Sequence, residues 1–124
     1  MGRMGADTLG YTLEISEHLF RLTTESLRLR SNETRSYQTL ESLVDARARD
    51  VSRIGERNMT TLKEHLVTIP TRGDIRIELC VSRTSAETLG QVCELLSKKL
   101  DANVTVGDAV SVLLFDYLVE QKAS

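Results

Sequence analysis

The polar positions of two short alternating stretches carry charged side chains that could contact nucleic acid: Arg28, Arg30, Arg76 and Glu78. The stretches are Ser26–Ser31 and Ile75–Val81, and in each of them apolar and polar residues alternate with a period of two. This period predicts a β-strand with one apolar and one polar face. An arginine on such a polar face can donate two hydrogen bonds to guanine, and a glutamate can accept one from cytosine. The four residues are therefore candidates for contact with nucleic acid.

The charge balance limits such a contact to one part of the surface. The chain of 124 residues has a formal net charge of −2, and its basic excess lies between residues 26 and 58, where seven arginines stand against five acidic residues. A polyanion site would therefore be local and would not depend on a field from the whole protein. The chain has only three tyrosines, two phenylalanines and no tryptophan, which argues against a platform that stacks single-stranded bases.

No residue pattern predicts an enzyme, a cofactor or a metal site. The sequence lacks a glycine-rich phosphate loop, a nucleophile elbow and a paired metal-ligand motif. His18 and His65 are isolated from each other. Cys80 and Cys93 lack metal-ligand spacing, and one falls in a predicted strand and the other in a predicted helix, so we expect no disulfide. No apolar run approaches the roughly 20 residues of a membrane span. We expect a non-enzymatic cytoplasmic protein without a cofactor.

Between the two strands, the periodicity predicts two helices. Apolar residues recur at helical spacing over residues 36–53, and Gly55 is a plausible C-cap for this helix. Asn58 is the predicted N-cap of the next helix, which ends at Pro70, the only proline of the chain.

After the second strand, two further helices are predicted. Thr84 begins a capping box, and apolar residues follow on one helical face as far as Leu100. Asn103 marks a break, and Thr105 begins a second capping signal. Residues 109–118 are apolar nearly all round, which predicts a helix in the middle of the core.

The order strand, helix, short break, helix therefore occurs twice, with matching residues 47 to 50 positions apart. We interpret the chain as four segments: an N-terminal extension (1–25), a first unit (26–69), a linker (70–74) and a second unit (75–121). Antiparallel pairing of Leu27–Arg30 with Ile75–Val81 would give a two-stranded ribbon with its apolar face on four helices. The predicted fold class is α+β and mostly helical.

A competing register places the first strand at Leu9–Ser16 and its helices at about 17–30 and 36–53. It ranks second, because it leaves Asn58 and the helix after it without a counterpart in the second unit.

Residues 75–121 resemble the ribbon-helix-helix family of DNA-binding proteins, and residues 26–69 resemble it more loosely. The resemblance depends on the strand, the capped helix after it, the break at Asn103 and the capped helix from Thr105. The family normally builds its fold as a homodimer with one strand from each subunit. The resemblance implies a ribbon in the major groove of double-stranded DNA, with these side chains on base edges: Arg28, Arg30, Arg76 and Glu78.

In this family the N-termini of the second helices hold the flanking phosphates, because free backbone N–H groups at a helix start suit phosphate oxygens. The resemblance implies phosphate contacts at five positions: Arg57, Asn58, Thr60, Thr105 and Val106.

Two units in one chain resemble the single-chain members of the family that assist T-DNA transfer. The resemblance implies a monomer with internal pseudo-two-fold symmetry, and a partitioning-type ATPase and a relaxase as collaborators. A homodimer in which two chains exchange strands is also compatible with the sequence. Glu78 and the difference between the two halves favour DNA binding with weak sequence preference. The alternatives are a protein-interaction module that uses the same fold, and a plasmid-type transcriptional repressor or antitoxin.

Overall fold

Two antiparallel strands and five helices make up the described part of the chain, which is residues 8–49 and 54–123 of a computed structural model. The strands are β1 (Thr8–Ile15) and β2 (Ile75–Ser82). The helices are α1 (Glu17–Thr34), α2 (Leu40–Ala48), α3 (Met59–Thr68), α4 (Arg83–Leu100) and α5 (Val106–Ala123). The fold is α+β and mostly helical, as the sequence predicts.

The strands pair with each other along their whole length, from Thr8 opposite Ser82 to Ile15 opposite Ile75. Side chains alternate between the two faces of this ribbon. The inward face packs on the helices, and the outward face is exposed. The predicted strand at 75–81 is confirmed and includes one residue more.

The strand predicted at Leu27–Arg30 is wrong, because these residues lie in α1. The partner of β2 is β1, so the register that ranked second, with its first strand at Leu9–Ser16, is the one that the protein adopts. The predicted boundary at residue 26 consequently falls inside α1. The segment interpreted as an N-terminal extension contains β1 and the first half of α1, and residues 1–7 of it lie outside the described residues.

α1 is helical although hydroxyl groups occupy part of its buried face. Thr23 Oγ1 donates to the carbonyl of Phe20, and Ser26 Oγ donates to the carbonyl of Leu22, so both polar side chains are buried with a partner. Ser16 caps the helix by accepting a hydrogen bond from the Leu19 N–H at 3.0 Å. These hydroxyls interrupt the apolar stripe in the sequence, and the local alternation of leucine and arginine around Arg28 then resembles a strand.

Helix caps recur at a constant separation of 66 residues, at three pairs of positions: Ser16 and Ser82, Arg35 and Asp101, Thr39 and Thr105. Arg35 and Asp101 both adopt the left-handed conformation, with φ of 58° and 51°. Their N–H groups donate to the carbonyls of Ser31 and Ser97 and thereby close α1 and α4 in the same way. The predicted separation of 47 to 50 residues is wrong.

α5 lies in the centre of the core and contacts the other four helices. Every residue from Ala109 to Leu114 is buried. This confirms the prediction from its apolar character on all sides. Burial of one leucine side chain contributes about 2 kcal/mol, so the packing around α5 is a main source of stability.

The remaining helix boundaries were predicted in part. Asn58 caps α3 as predicted, because its Oδ1 accepts from the N–H of Thr60 at 2.8 Å. The helix predicted at 36–53 begins only at Leu40, after the cap Thr39, and Gly55 is itself helical. The predicted end of that helix, at residue 53, lies outside the described residues.

The cap of α4 is two residues earlier than predicted. Ser82 accepts a hydrogen bond from the N–H of Ser85, whereas the capping box was predicted to begin at Thr84.

Candidate nucleic-acid interface

The outward face of the ribbon presents six exposed positions in three cross-strand pairs: Gly10 with Cys80, Thr12 with Glu78, and Glu14 with Arg76. Arg76 and Glu78 were predicted on this face, and the structure places them there. Thr12 and Glu14 lie opposite them, where the sequence had predicted two arginines. The alternation from Tyr11 to Ile15, in the second half of β1, is the signal that could have identified both residues.

This face carries one cation and two carboxylates. Arg76 Nη2 lies 3.4 Å from Glu14 Oε2, and 68% and 61% of the two side chains are exposed. Thr12 Oγ1 donates to Glu78 at 3.2 Å. Exposed contacts of this kind contribute less than about 1 kcal/mol, so a ligand can displace them. The face can therefore donate from Arg76 and accept at the carboxylates.

Arg28 and Arg30 lie on α1 and are not brought to the ribbon. Arg28 is twelve residues beyond the cap Ser16, which is about 18 Å along the helix axis from the end of β1. Its guanidinium lies 2.8 Å from Glu25, and that hydrogen bond raises the pKa of Arg28 above its ordinary value. Arg30 lies 3.2 Å from Glu33. Both arginines form ion pairs within their own helix.

The N-terminus of α5 lies beside β1 and carries two predicted phosphate contacts, Thr105 and Val106. Thr105 Oγ1 accepts from the N–H of Asp108, and Asp108 Oδ2 accepts from the N–H of Thr105, both at 3.1 Å. This capping box confirms the predicted helix start. An open cleft of about 840 Å³ separates the helix start from β1, and Arg72 also lines it.

The N-terminus of α2 flanks the other strand. Glu41, in the first turn of α2, accepts a hydrogen bond from the backbone N–H of Cys80 at 3.3 Å. One helix N-terminus therefore stands on each side of the ribbon. The start of α2 was not predicted, although the spacing of Thr39 and Ser42 is that of a cap and its partner.

The other three predicted phosphate contacts, Arg57, Asn58 and Thr60, are not beside the ribbon. Arg57 Nε donates to a carboxylate oxygen of Asp116. Asp116 is ten residues past Val106, or about 15 Å along α5 from its start. Asn58 and Thr60 form the capped start of α3 in the same region.

Arg57 belongs to a buried ion-pair cluster. Asp116 is 1% exposed, and Arg47 Nη2 donates to its Oδ2 at 2.7 Å. Arg47 also donates to Glu120 at 3.0 Å. Burial by itself would raise the pKa of Asp116, but hydrogen bonds from Arg47 and Arg57 hold this pKa below its ordinary value. The cluster ties α2 to α5 and explains why Arg57 is turned away from a ligand.

Of the remaining groups with potential reactivity, Cys80 lies on the ribbon, and His65 and Cys93 lie on α3 and α4. His65 Nε2 lies 2.8 Å from Ser111 Oγ, its ring stacks on Phe115 at 4.3 Å, and burial lowers its pKa. Cys80 and Cys93 are free thiols, and burial raises the pKa of Cys93. Among residues 8–49 and 54–123, no three His, Cys, Asp or Glu side chains come together as metal ligands. In the same part of the chain, no helix has both the length and the apolarity to cross a membrane.

Comparison with known proteins found no match among family models, curated proteins or solved structures. Functional inference therefore depends on the fold and on the surface of the ribbon.

Proposed function

We propose that this chain is a non-enzymatic accessory protein that binds double-stranded DNA and contains two ribbon-helix-helix units. The first unit would comprise β1, α1 and α2, and the second β2, α4 and α5, with α3 in the connection. The observation that carries the proposal is an antiparallel ribbon in which each strand leads into two helices, with caps repeated at 66 residues.

The ribbon offers groups that suit a major groove, which is about 12 Å wide and admits two strands. Arg76 would donate to guanine O6 and N7, and Glu78 would accept from a cytosine amino group. Thr12 and Glu78 lie opposite each other in the ribbon and are 66 residues apart in the sequence. The pseudo-two-fold axis that would relate the two units would therefore pass through this pair. Glu78 would consequently meet the central base pairs of a site.

The flanking phosphates would bind at the starts of α2 and α5, because the first turn of a helix presents backbone N–H groups to an anion. Thr105 and Val106 would contact phosphates, as expected from the sequence, and we add Thr39 and Arg72 as two further phosphate contacts. Arg28, Arg30, Arg57, Asn58 and Thr60 are not included, because their side chains lie away from the ribbon face.

The charge of the face favours weak sequence preference. Glu14 and Glu78 repel phosphates, and Arg76 is the one cation among the six outward positions. The two strands also present different side chains, so a symmetric operator is not expected. These features suit an accessory role in T-DNA processing, in line with the resemblance to the single-chain ribbon-helix-helix protein encoded second in the VirC operon. A partitioning-type ATPase and a relaxase would then be its collaborators, and the protein would act as a monomer in the cytoplasm.

The proposal is tested by titrating a labelled DNA duplex with wild-type protein, Arg76→Ala and Arg28→Ala. Each variant removes one exposed arginine that has one glutamate neighbour, so the net charge changes equally. We expect Arg76→Ala to weaken binding about tenfold or more, because a bidentate base contact contributes about 1–3 kcal/mol. Arg28→Ala should change the affinity less than about twofold.

Equal losses in the two variants would contradict a base-reading ribbon. Competition with random duplex then separates weakly specific binding from a plasmid-type repressor, whose labelled site would resist the competitor.

A protein-interaction module is the second candidate, and the net negative outward face of the ribbon favours it. In that case a protein partner would stay bound at high salt, and no gel shift with duplex would appear at low salt. Loss of that partner on Glu14→Gln with Glu78→Gln would assign the interaction to the ribbon.

A further inference from the structure

A polar cleft of about 450 Å³ lies between α2 and the start of α4. Asp45 and Arg49 line it from α2, and Ser82 and Thr88 line it from the other side. Oδ1 of Asp45 is buried and accepts no hydrogen bond from the described part of the chain. A buried acceptor without a partner is unfavourable. The Asp45 side chain as a whole is only partly buried and lines the cleft, so a small rotation can bring its carboxylate to a donor there.

The same position in the other half is covered by α3 and the residues after it. At a separation of 66, the four cleft residues correspond as follows: Asp45 to Ser111, Arg49 to Phe115, Ser82 to Ser16, and Thr88 to Leu22. His65 of α3 contacts Ser111 through Nε2 at 2.8 Å and stacks on Phe115. The carbonyl of Pro70 accepts a hydrogen bond from Ser16.

The fourth residue of that half, Leu22, shares a cleft lining with His65. Each of the four positions in this half is therefore contacted or lined by the α3 segment. Among the described residues, the connection between the two units covers only this one of the two equivalent surfaces.

We propose that the cleft beside Asp45 is a docking site for a helix of a partner protein that presents lysine or arginine to Asp45. The seating of α3 in the other half supplies the template for a helix at this position. The chemistry of the ligand differs from that of α3, because a carboxylate replaces the hydroxyl of Ser111. A cationic donor satisfies a partly buried carboxylate better than a neutral imidazole does. Arg49 at the rim disfavours a second cation, so one basic side chain is expected. The inference rests on the two-unit arrangement proposed above and not on DNA binding.

The test uses a synthetic peptide of residues 58–70 that carries His65→Lys, with a His65→Glu peptide as the matched control. Binding to the whole protein is followed by amide chemical shifts at about 1 mM peptide. We expect the lysine peptide to shift amides around Asp45 and Ser82, and the glutamate peptide to leave them unchanged. Asp45→Asn should weaken the lysine peptide about tenfold. Absence of these shifts, or equal binding by Asp45→Asn, would overturn the proposal.

A stability measurement separates docking from a structural role of Asp45 at the positive end of α4. Asp45→Asn and Ser111→Ala change equivalent positions. Ser111→Ala should lower the melting temperature, because it removes the hydrogen bond to His65. Asp45→Asn should leave it unchanged or raise it, because its buried oxygen has no donor to lose. A lower melting temperature for Asp45→Asn would assign the carboxylate to holding α4 and contradict the docking site.

The duplex titration distinguishes the two proposals. Asp45→Asn should bind duplex within about twofold of the wild type. Peptide binding without duplex binding would remove the proposed DNA function alone, and duplex binding without peptide binding would remove the docking site alone.

Discussion

Replacement of Asp116 by asparagine removes the carboxylate that Arg47 and Arg57 share. Asp116 is 1% exposed, and the two arginine side chains are 15% and 30% exposed, so the pairs lie in a mostly dry setting. Removal of one member of a buried ion pair costs about 3–5 kcal/mol. In the variant, Arg47 would still have its ion pair with Glu120 at 3.0 Å, and Arg57 would still be partly exposed to water. We therefore expect a loss at the lower limit, about 3 kcal/mol in the free energy of unfolding.

Urea unfolding followed by circular dichroism measures this loss, and thermal unfolding should show a decrease of about 10 °C. Glu17→Gln is the control, because it breaks an exposed pair with Arg21 in which both side chains are more than half exposed. That pair should contribute less than about 1 kcal/mol. If Asp116→Asn loses no more than this control, the reasoning about the buried cluster is wrong.

The pH dependence provides an independent check. The pKa of Asp116 is lower in the folded state than its ordinary value of about 3.9. The stability that this carboxylate contributes is therefore present above about pH 3.9 and is lost as the pH falls toward the folded pKa. Asp116→Asn should lack this part of the acid transition, so identical acid limbs in the two proteins would contradict the assignment.

Two further predictions concern the connection between the halves. Gly73→Ala should destabilise the protein by about 2 kcal/mol, because the added Cβ would lie 2.5 Å from the backbone carbonyl oxygen of Ile15. Gly10→Ala is the control, because a Cβ at Gly10 would meet no atom within 4 Å. The same urea titration should show no such loss for this control. Burial lowers the pKa of His65, so stability should decrease as the pH falls below about 6.5. Unfolding curves across this range should lose that step in His65→Gln, and an unchanged slope would contradict it.

The sequence predicts the local structure correctly in segments that show a single clear periodicity or capping signal. The alternation at 75–81 predicts β2, the cap residues Asn58 and Thr105 predict helix starts, and the apolar run 109–118 predicts a central helix; all four are confirmed. These features depend on local physics, namely strand alternation, capping and burial on all sides. The ion pairs of Arg47 do not follow from local physics. Its partners come instead from α5, more than sixty residues away.

The candidate site was predicted only for β2 and the start of α5. Arg76 and Glu78 follow from the local alternation, and the structure places them on the ribbon. The capping signal predicts a helix start at Thr105, and the structure places this start beside β1. The arginines at 28 and 30 were assigned to it because short alternation cannot separate a strand from one turn of a helix whose buried face contains hydroxyls. Thr12 and Glu14 become visible on the face only when the pairing is known.

The sequence by itself thus determines an α+β chain with one well-defined strand, a central apolar helix and strand–helix–helix order in its second half. The tertiary structure decides which stretch pairs with that strand, and with it the charge of the outward face. Two stretches with the same alternation compete for one partner, and the alternation alone does not choose between them. The choice is made by the helices: the stretch 17–34 buries its face against α5 only as a helix, which leaves β1 to complete the ribbon.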